Sequence, residues 1–113
     1  MQPLLTSEQM RAVDKAAIKE FEIPELLLME HAAIAVVDAL SRRFGRLLNS
    51  SKACILAGPG NNGGDALAVA RLLKNAGAAH LVVILVTEDD PNKAKLSKSC
   101  AAQAAILSRL GIA

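Results

Sequence analysis

The sequence predicts an α/β fold built on a parallel sheet, and three observations carry that prediction. Two short, continuously apolar runs, residues 53–57 and 81–86, read as strands covered on both faces. A glycine-rich segment, residues 58–65, directly follows the first run. Apolar residues recur at helical spacing before, between and after the runs. Strand, glycine loop, helix, strand, helix is one parallel βαβ unit with a further helix.

Each element has its own signal. Thr6 followed by Gln9 has the spacing of a capping box and opens a first helix. Met10, Val13, Ala17, Ile18 and Phe21 form its apolar side, with Arg11, Asp14, Lys15, Lys19 and Glu20 mostly between them. Pro24 suits the first turn of a second helix. Leu26, Leu27, Met29, Ala33, Val36, Val37 and Leu40 give that helix a wide apolar face, and Gly45 is its expected stop. Asn49, Ser50 and Ser51 then read as loop. Four glycines in residues 58–65 argue against regular structure there, so the third helix is expected over 66–76, closed by Gly77. His80 reads as a loop residue before the second strand. Residues 87–91 form an acidic turn, and 92–110 read as an alanine-rich helix ended by Gly111. About two strands and four helices result. A two-stranded sheet rarely stands alone, so the sheet is expected to be incomplete and the chain to be the N-terminal part of a larger fold.

Composition narrows the function. The 113 residues suit one domain, and 52% hydrophobic with 21% charged residues is globular. Thirteen basic against 11 acidic residues, net +2, give no electrostatic case for nucleic acid or a membrane surface. The only aromatics are Phe21 and Phe44, too few for a base-stacking platform. No apolar run is long enough to span a bilayer, and no leader pattern is visible at the N-terminus. Cys54 and Cys100 read as reduced packing thiols in a cytoplasmic protein. Two cysteines make neither a disulfide framework nor a zinc site.

The chemistry sits in the loop. Gly58, Gly60 and Gly63 match G-x-G-x-x-G between a strand and a helix. Such glycines permit a sharp turn and close approach of a ligand, and the helix N-terminus offers free N–H groups to an anion. The bland alternative is a tight turn with no ligand. No Gly-Lys-Ser/Thr follows, so this is not a Walker loop. Asn61 and Asn62 add two carboxamides at the C-terminal edge of the sheet, where open α/β sheets bind ligands. Asp65 falls in the expected first turn, where it would cap the helix, hold a sugar hydroxyl, or both. Asn62 offers a carbonyl oxygen to a monovalent cation, or is simply a turn residue.

The segment Gly58-Pro59-Gly60-Asn61-Asn62-Gly63-Gly64-Asp65, with Ala70-Arg71-Leu72-Leu73 behind it, resembles the signature of the NAD(P)H-hydrate epimerase family (the YjeF N-terminal domain). Met10-Arg11-Ala12-Val13-Asp14 and Leu28-Met29-Glu30-His31-Ala32-Ala33 are similar to two upstream segments of that family, in the right order. The resemblance covers essentially the whole chain. It implies a Rossmann-like three-layer αβα domain, an isomerase of nicotinamide nucleotide repair that converts (R)-NADHX or (R)-NADPHX to the S epimer. It further implies that Asn61, Asn62, Gly63, Gly64 and Asp65 contact the hydrate and that Asn62 binds potassium. A companion ADP- or ATP-dependent dehydratase, often fused C-terminally, and a homo-oligomeric state are implied as partners. Ala66 and Ala33 stand where the family usually has Gly. The family's later segments, including an Asp-x-Pro-Ser-Gly stretch with the catalytic aspartate, do not occur in residues 1–113. These residues therefore correspond to the N-terminal half of such a domain, and the isolated chain is expected to be inactive. A proton must move near the hydroxyl-bearing carbon, a task for a positioned carboxylate.

Two rival readings remain. A classical dinucleotide-binding module would use an acid after the second strand, Glu88, Asp89 or Asp90, to hold a ribose of intact NAD. A non-catalytic scaffold would use the open sheet as a sticky surface. His31 reads as a packed or solvent-tipped side chain, Lys93, Lys95 and Lys98 as a wet helix face, and Met10 and Met29 as core filler.

Overall fold

The structure, a computed structural model, describes residues 2–88 and 95–112. Its elements are α1 (Ser7–Lys19), α2 (Glu25–Ser50), β1 (Lys52–Ala57), α3 (Asn61–Asn75), β2 (His80–Leu85) and α4 (Lys98–Arg109). The strands pair in parallel, with Cys54 opposite Val82 and Leu56 opposite Ile84. This is the α/β architecture expected, with two strands and four helices among the described residues.

Helix α3 is the centre of the molecule. Its Ala68, Val69, Leu72 and Leu73 pack with Met29, Ala33, Val37 and Leu40 of α2. On the opposite flank its Leu67 and Ala70 pack with Cys100 and Leu107 of α4. Ile55 and Leu81 of the sheet pack against both clusters, and Val83 against the second. Leu67 and Cys100 are fully buried. A slab 45 × 41 × 21 Å results.

Several boundaries differ from the sequence expectation. Thr6 does build the capping box, accepting from the Gln9 N–H while the Gln9 side chain accepts from the Thr6 N–H. Gly45, however, does not end α2. Phe44 leaves the helical region (φ −128°, ψ 18°) and the helix resumes to Ser50, so the glycine marks a kink. Asn49 and Ser50 are thus helical, and Pro24 is the N-cap rather than a first-turn residue. Helix α3 begins at Asn61, not at 66, because Gly63 and Gly64 adopt helix where their lack of a Cβ permits close packing. Helix α4 begins at Lys98, after Ser97 accepts from the Cys100 N–H at 3.2 Å. The expected start at Asn92, and Asp89, Asp90 and Lys93, lie outside the described residues. His80 opens β2 instead of preceding it.

Burial differs too. One sheet face meets α3, but Cys54, Leu56, Val82 and Ile84 on the other are exposed. The strands are therefore not covered on both faces among the described residues, and Cys54 is a surface thiol. No residue of α1 is buried, so Met10 is not core filler. Met29 is.

Candidate functional site

The glycine loop leaves β1 at the buried Ala57, whose carbonyl accepts from the Val86 N–H at 2.7 Å. Gly60 is the N-cap of α3 and has no side chain to offer, so no side-chain cap closes the helix start. The Gly64 N–H donates to the Gly60 carbonyl at 3.1 Å. Asn61 and Asn62, the first two residues of α3, are exposed. A helix start of this kind concentrates unpaired N–H groups and a partial positive charge.

Two glycines are dictated by space. A Cβ on Gly63 would lie 1.7 Å from the Gly58 carbonyl oxygen, so residue 63 must be glycine if the loop folds back as it does. A Cβ on Gly64 would lie 2.7 Å from Cε of Met29 and 3.3 Å from Cα of Cys100. Helix α4 then clamps the loop from behind. The Ser97 N–H donates to the Pro59 carbonyl at 2.9 Å, and the Cys100 thiol donates to the Gly58 carbonyl at 3.6 Å. Burial pushes the Cys100 thiol up, which keeps it protonated as that donor.

A cleft of about 500 Å³ opens between α1, the start of α2 and the start of α3. Met10, Ile18, Leu28 and Met29 give it apolar walls, and Arg11, Asp14, Glu25, Asn61 and Asp65 line it with polar groups. Burial lifts the Asp65 carboxyl above its ordinary value, and the charges of Asp14 and Glu25 push the same way. Glu25 is fixed in turn, since the Ser99 hydroxyl donates to its Oε1 at 2.8 Å. On the other side of the loop Asn62 and Asp65 line a second recess of about 290 Å³ with Gly58, Val36 and Leu56. Asp65 is the fifth residue of α3 and does not cap it, which removes the capping role expected from sequence.

The sequence-predicted residues therefore share the start of α3 but are divided between two recesses. Asn61 and Asp65 line the first cleft, and Asn62 and Asp65 the second. Gly63 and Gly64 are buried beneath them. The structure adds contacts that the sequence does not show. Glu30 and Arg71 form an ion pair between α2 and α3, with side chains 31% and 16% exposed. Among the described residues, Arg71 Nε and Gln103 Oε1 are buried without a partner. Met29 packs on Gly64, Glu30 pairs with Arg71 and Ala33 enters the core, so the Leu28–Ala33 segment joins α2 to the loop helix. Ser97 and Ser99 carry no signal beyond a serine before an alanine-rich run, whereas Cys100, read as a packing thiol, is buried.

Other candidates stand apart. His31, Glu88, Lys95 and Lys98 are exposed, and Glu88 lines neither recess. Among the described residues no cluster of His, Cys, Asp or Glu could hold a metal ion, and no helix is long and apolar enough to cross a membrane.

Residues 25–113 match the family described as YjeF-related protein N-terminus. An NAD(P)H-hydrate epimerase of Limosilactobacillus fermentum is 48% identical over 73 residues, 65% of this chain and 34% of that protein. The bifunctional NAD(P)H-hydrate repair enzyme Nnr of Moorella thermoacetica is 40% identical over 87 residues, 77% of this chain and 16% of that protein. The crystal structure of yeast ynu0 superposes with a TM-score of 0.78 at 25% identity, over 98% of this chain and 46% of that one. The chain thus spans roughly a third of the epimerase, a sixth of the bifunctional enzyme and under half of the yeast protein.

Proposed function

The chain belongs to the family of YjeF-related protein N-termini, and on that premise we propose that it supplies the ligand loop of an NAD(P)H-hydrate epimerase, which converts (R)-NADHX or (R)-NADPHX to the S epimer. The observation that carries this reading is the start of α3. Asn61, Asn62, Gly63, Gly64 and Asp65 present two carboxamides, a carboxyl and uncapped amides on one turn, with Gly63 held against the Gly58 carbonyl. The names of the relatives support the substrate.

In this reading the amides of α3 hold a phosphate of the hydrate. Asn61 and Asn62 orient the dihydropyridine or its ribose, and Asp65 takes a hydroxyl. The Asn62 carboxamide oxygen suits an alkali cation, and in the recess it shares with Asp65 it would hold potassium. Potassium would supply a fixed positive charge beside the bound hydrate. Moving a proton at the hydroxyl-bearing carbon requires a positioned carboxylate. We assign that group to the remainder of the family domain, with residues 1–113 acting as its N-terminal half. A dehydratase acts next on the S epimer, the protein works as a homo-oligomer, and two free thiols suit the cytoplasm.

The test is chromatographic conversion of (R)-NADHX, with and without potassium, by the 113-residue chain of verified intact mass. The chain alone gives no turnover, and joining it to the remaining part of the L. fermentum epimerase restores potassium-dependent turnover. A joined protein that folds, is fully loaded with potassium and leaves (R)-NADHX unchanged contradicts the reading.

A further inference from the structure

Gly58, Pro59 and Gly60 carry the chain from β1 into α3. Little in this loop fixes its own shape. Two of its residues are glycines, which adopt many backbone conformations. A Cβ on Gly58 or Gly60 would meet nothing within 4 Å among the described residues, so no neighbour wedges the loop on those sides. Pro59 has no N–H to donate.

The restraint comes from α4. The Gly58 carbonyl accepts from the Cys100 thiol at 3.6 Å, and the Pro59 carbonyl accepts from the Ser97 N–H at 2.9 Å. The next carbonyl, that of Gly60, already belongs to α3, since it accepts from the Gly64 N–H. Both carbonyls ahead of the helix are therefore tied to one turn of α4. That turn is itself well anchored. Ser97 caps it by accepting from the Cys100 N–H at 3.2 Å, and Cys100 is fully buried. The Ser99 hydroxyl donates to Glu25 at 2.8 Å and the Gln103 amide to Met29 Sδ at 3.6 Å, which fasten α4 to α2. Gly63 confines the same Gly58 oxygen from another side, where a Cβ would lie 1.7 Å away.

Gly58 lines the recess it shares with Asn62 and Asp65, whereas no described residue of α4 lines that recess or the larger cleft. Cys100 thus reaches a ligand there only through Gly58. We propose that Cys100 is a positioning residue of the ligand loop. Its thiol holds the Gly58 carbonyl toward α4 and keeps that oxygen turned from the phosphate that the α3 amides receive. This rests on the reading of the α3 start as the site of the nucleotide hydrate. A carbonyl oxygen carries partial negative charge, so one that swung toward the phosphate would oppose the helix amides. A thiol is a weak donor. It is nevertheless the one donor that reaches the Gly58 oxygen among the described residues, and without it that oxygen gains by turning toward water.

The test compares three 113-residue chains that all carry Cys54→Ala, so that Cys100 is the only thiol. One has no further change, one adds Cys100→Ser and one adds Cys100→Val. Serine keeps a donor, and valine keeps the apolar bulk without one. Urea unfolding gives the stability of each, and amide chemical shifts during titration with (R)-NADHX give the affinity of the folded chain. Cys100→Val is expected to shift the Gly60–Gly64 amides and to weaken hydrate binding by about fivefold or more. Cys100→Ser is expected to stay within about twofold of the background, a rescue that a role in packing alone does not produce. A folded Cys100→Val chain that binds as tightly as the background overturns the proposal, and so does equal weakening by valine and serine. A background chain that does not bind the hydrate refutes the functional reading instead. The loop amides then decide the positioning role, which is upheld if valine moves them and serine does not, and overturned if valine leaves them in place. If neither variant folds, the Raman S–H band of the background chain decides. The account predicts a band at lower frequency than in the urea-unfolded state without added oxidant, in which the thiol meets only water. A band at the frequency of a thiol with no acceptor overturns it.

Discussion

Replacing Gly63 by alanine tests the loop geometry most sharply. The new Cβ would lie 1.7 Å from the Gly58 carbonyl oxygen, a backbone atom fixed at the end of β1. Neither partner can yield by a rotamer change, so the loop or the first turn of α3 must move. Helix propensity favours alanine by about 1 kcal/mol, and overpacking a fixed site costs typically 1–3 kcal/mol or more. With a backbone clash this deep the overpacking wins, for a net loss of about 2 kcal/mol. That lowers Tm by roughly 8 °C or more in a domain of about a hundred residues. Gly64→Ala is the internal comparison. Its nearest contact is the end of the flexible Met29 side chain, although Cα of Cys100 stands 3.3 Å away. The methionine swings aside and the propensity gain offsets most of the cost, leaving a change within about 1 kcal/mol. Thermal and urea unfolding followed by circular dichroism measure both. A Gly63→Ala chain as stable as the parent, or the opposite order of the two variants, refutes the close approach on which the loop description rests.

Other consequences follow from the same contacts. The raised carboxyl of Asp65 binds its proton more tightly folded than unfolded, so its favourable contribution is complete at acid pH and is lost as pH rises through the folded value. Asp65→Asn therefore stabilises the chain at neutral pH and loses that advantage below the ordinary carboxylate range, as urea midpoints from pH 3 to 8 would show. Arg71→Met strands Glu30 and costs about 1–2 kcal/mol, whereas adding Glu30→Gln to it recovers part of the loss, a cycle read by urea denaturation. Ser97→Ala removes the acceptor for the Cys100 N–H and costs about 1 kcal/mol, with faster hydrogen exchange at the first turn of α4.

Element order and the parallel pairing were legible because they depend on local pattern. The apolar runs are strands and the capping box at Thr6 is as written. Boundaries failed where tertiary contact overrides propensity. Gly63 and Gly64 are poor helix formers, yet both are helical because the Gly58 carbonyl and Met29 occupy the space a side chain would need. Gly45 reads as a stop, but the helix resumes beyond Phe44 and returns Leu48 to the core. Coverage at Cys54 and Leu56 is not legible, since a run of apolar residues gives no count of the layers packed against it. Within the site, Asn61, Asn62 and Asp65 were visible as chemistry on a turn. Glu25, Ser99 and the Glu30–Arg71 pair were not, because each acts across elements separated by at least 41 positions.

The central claim is that the first turn of α3 receives the nucleotide hydrate. Amide chemical shifts of the chain titrated with (R)-NADHX, and separately with ordinary NADH, test it most directly. The account predicts shifts concentrated at Asn61–Asp65 and the Asn62 side-chain amide, larger for the hydrate than for NADH. Equal response to both ligands with shifts centred on Glu88, or no response at residues 61–65 while the chain stays folded, would contradict it.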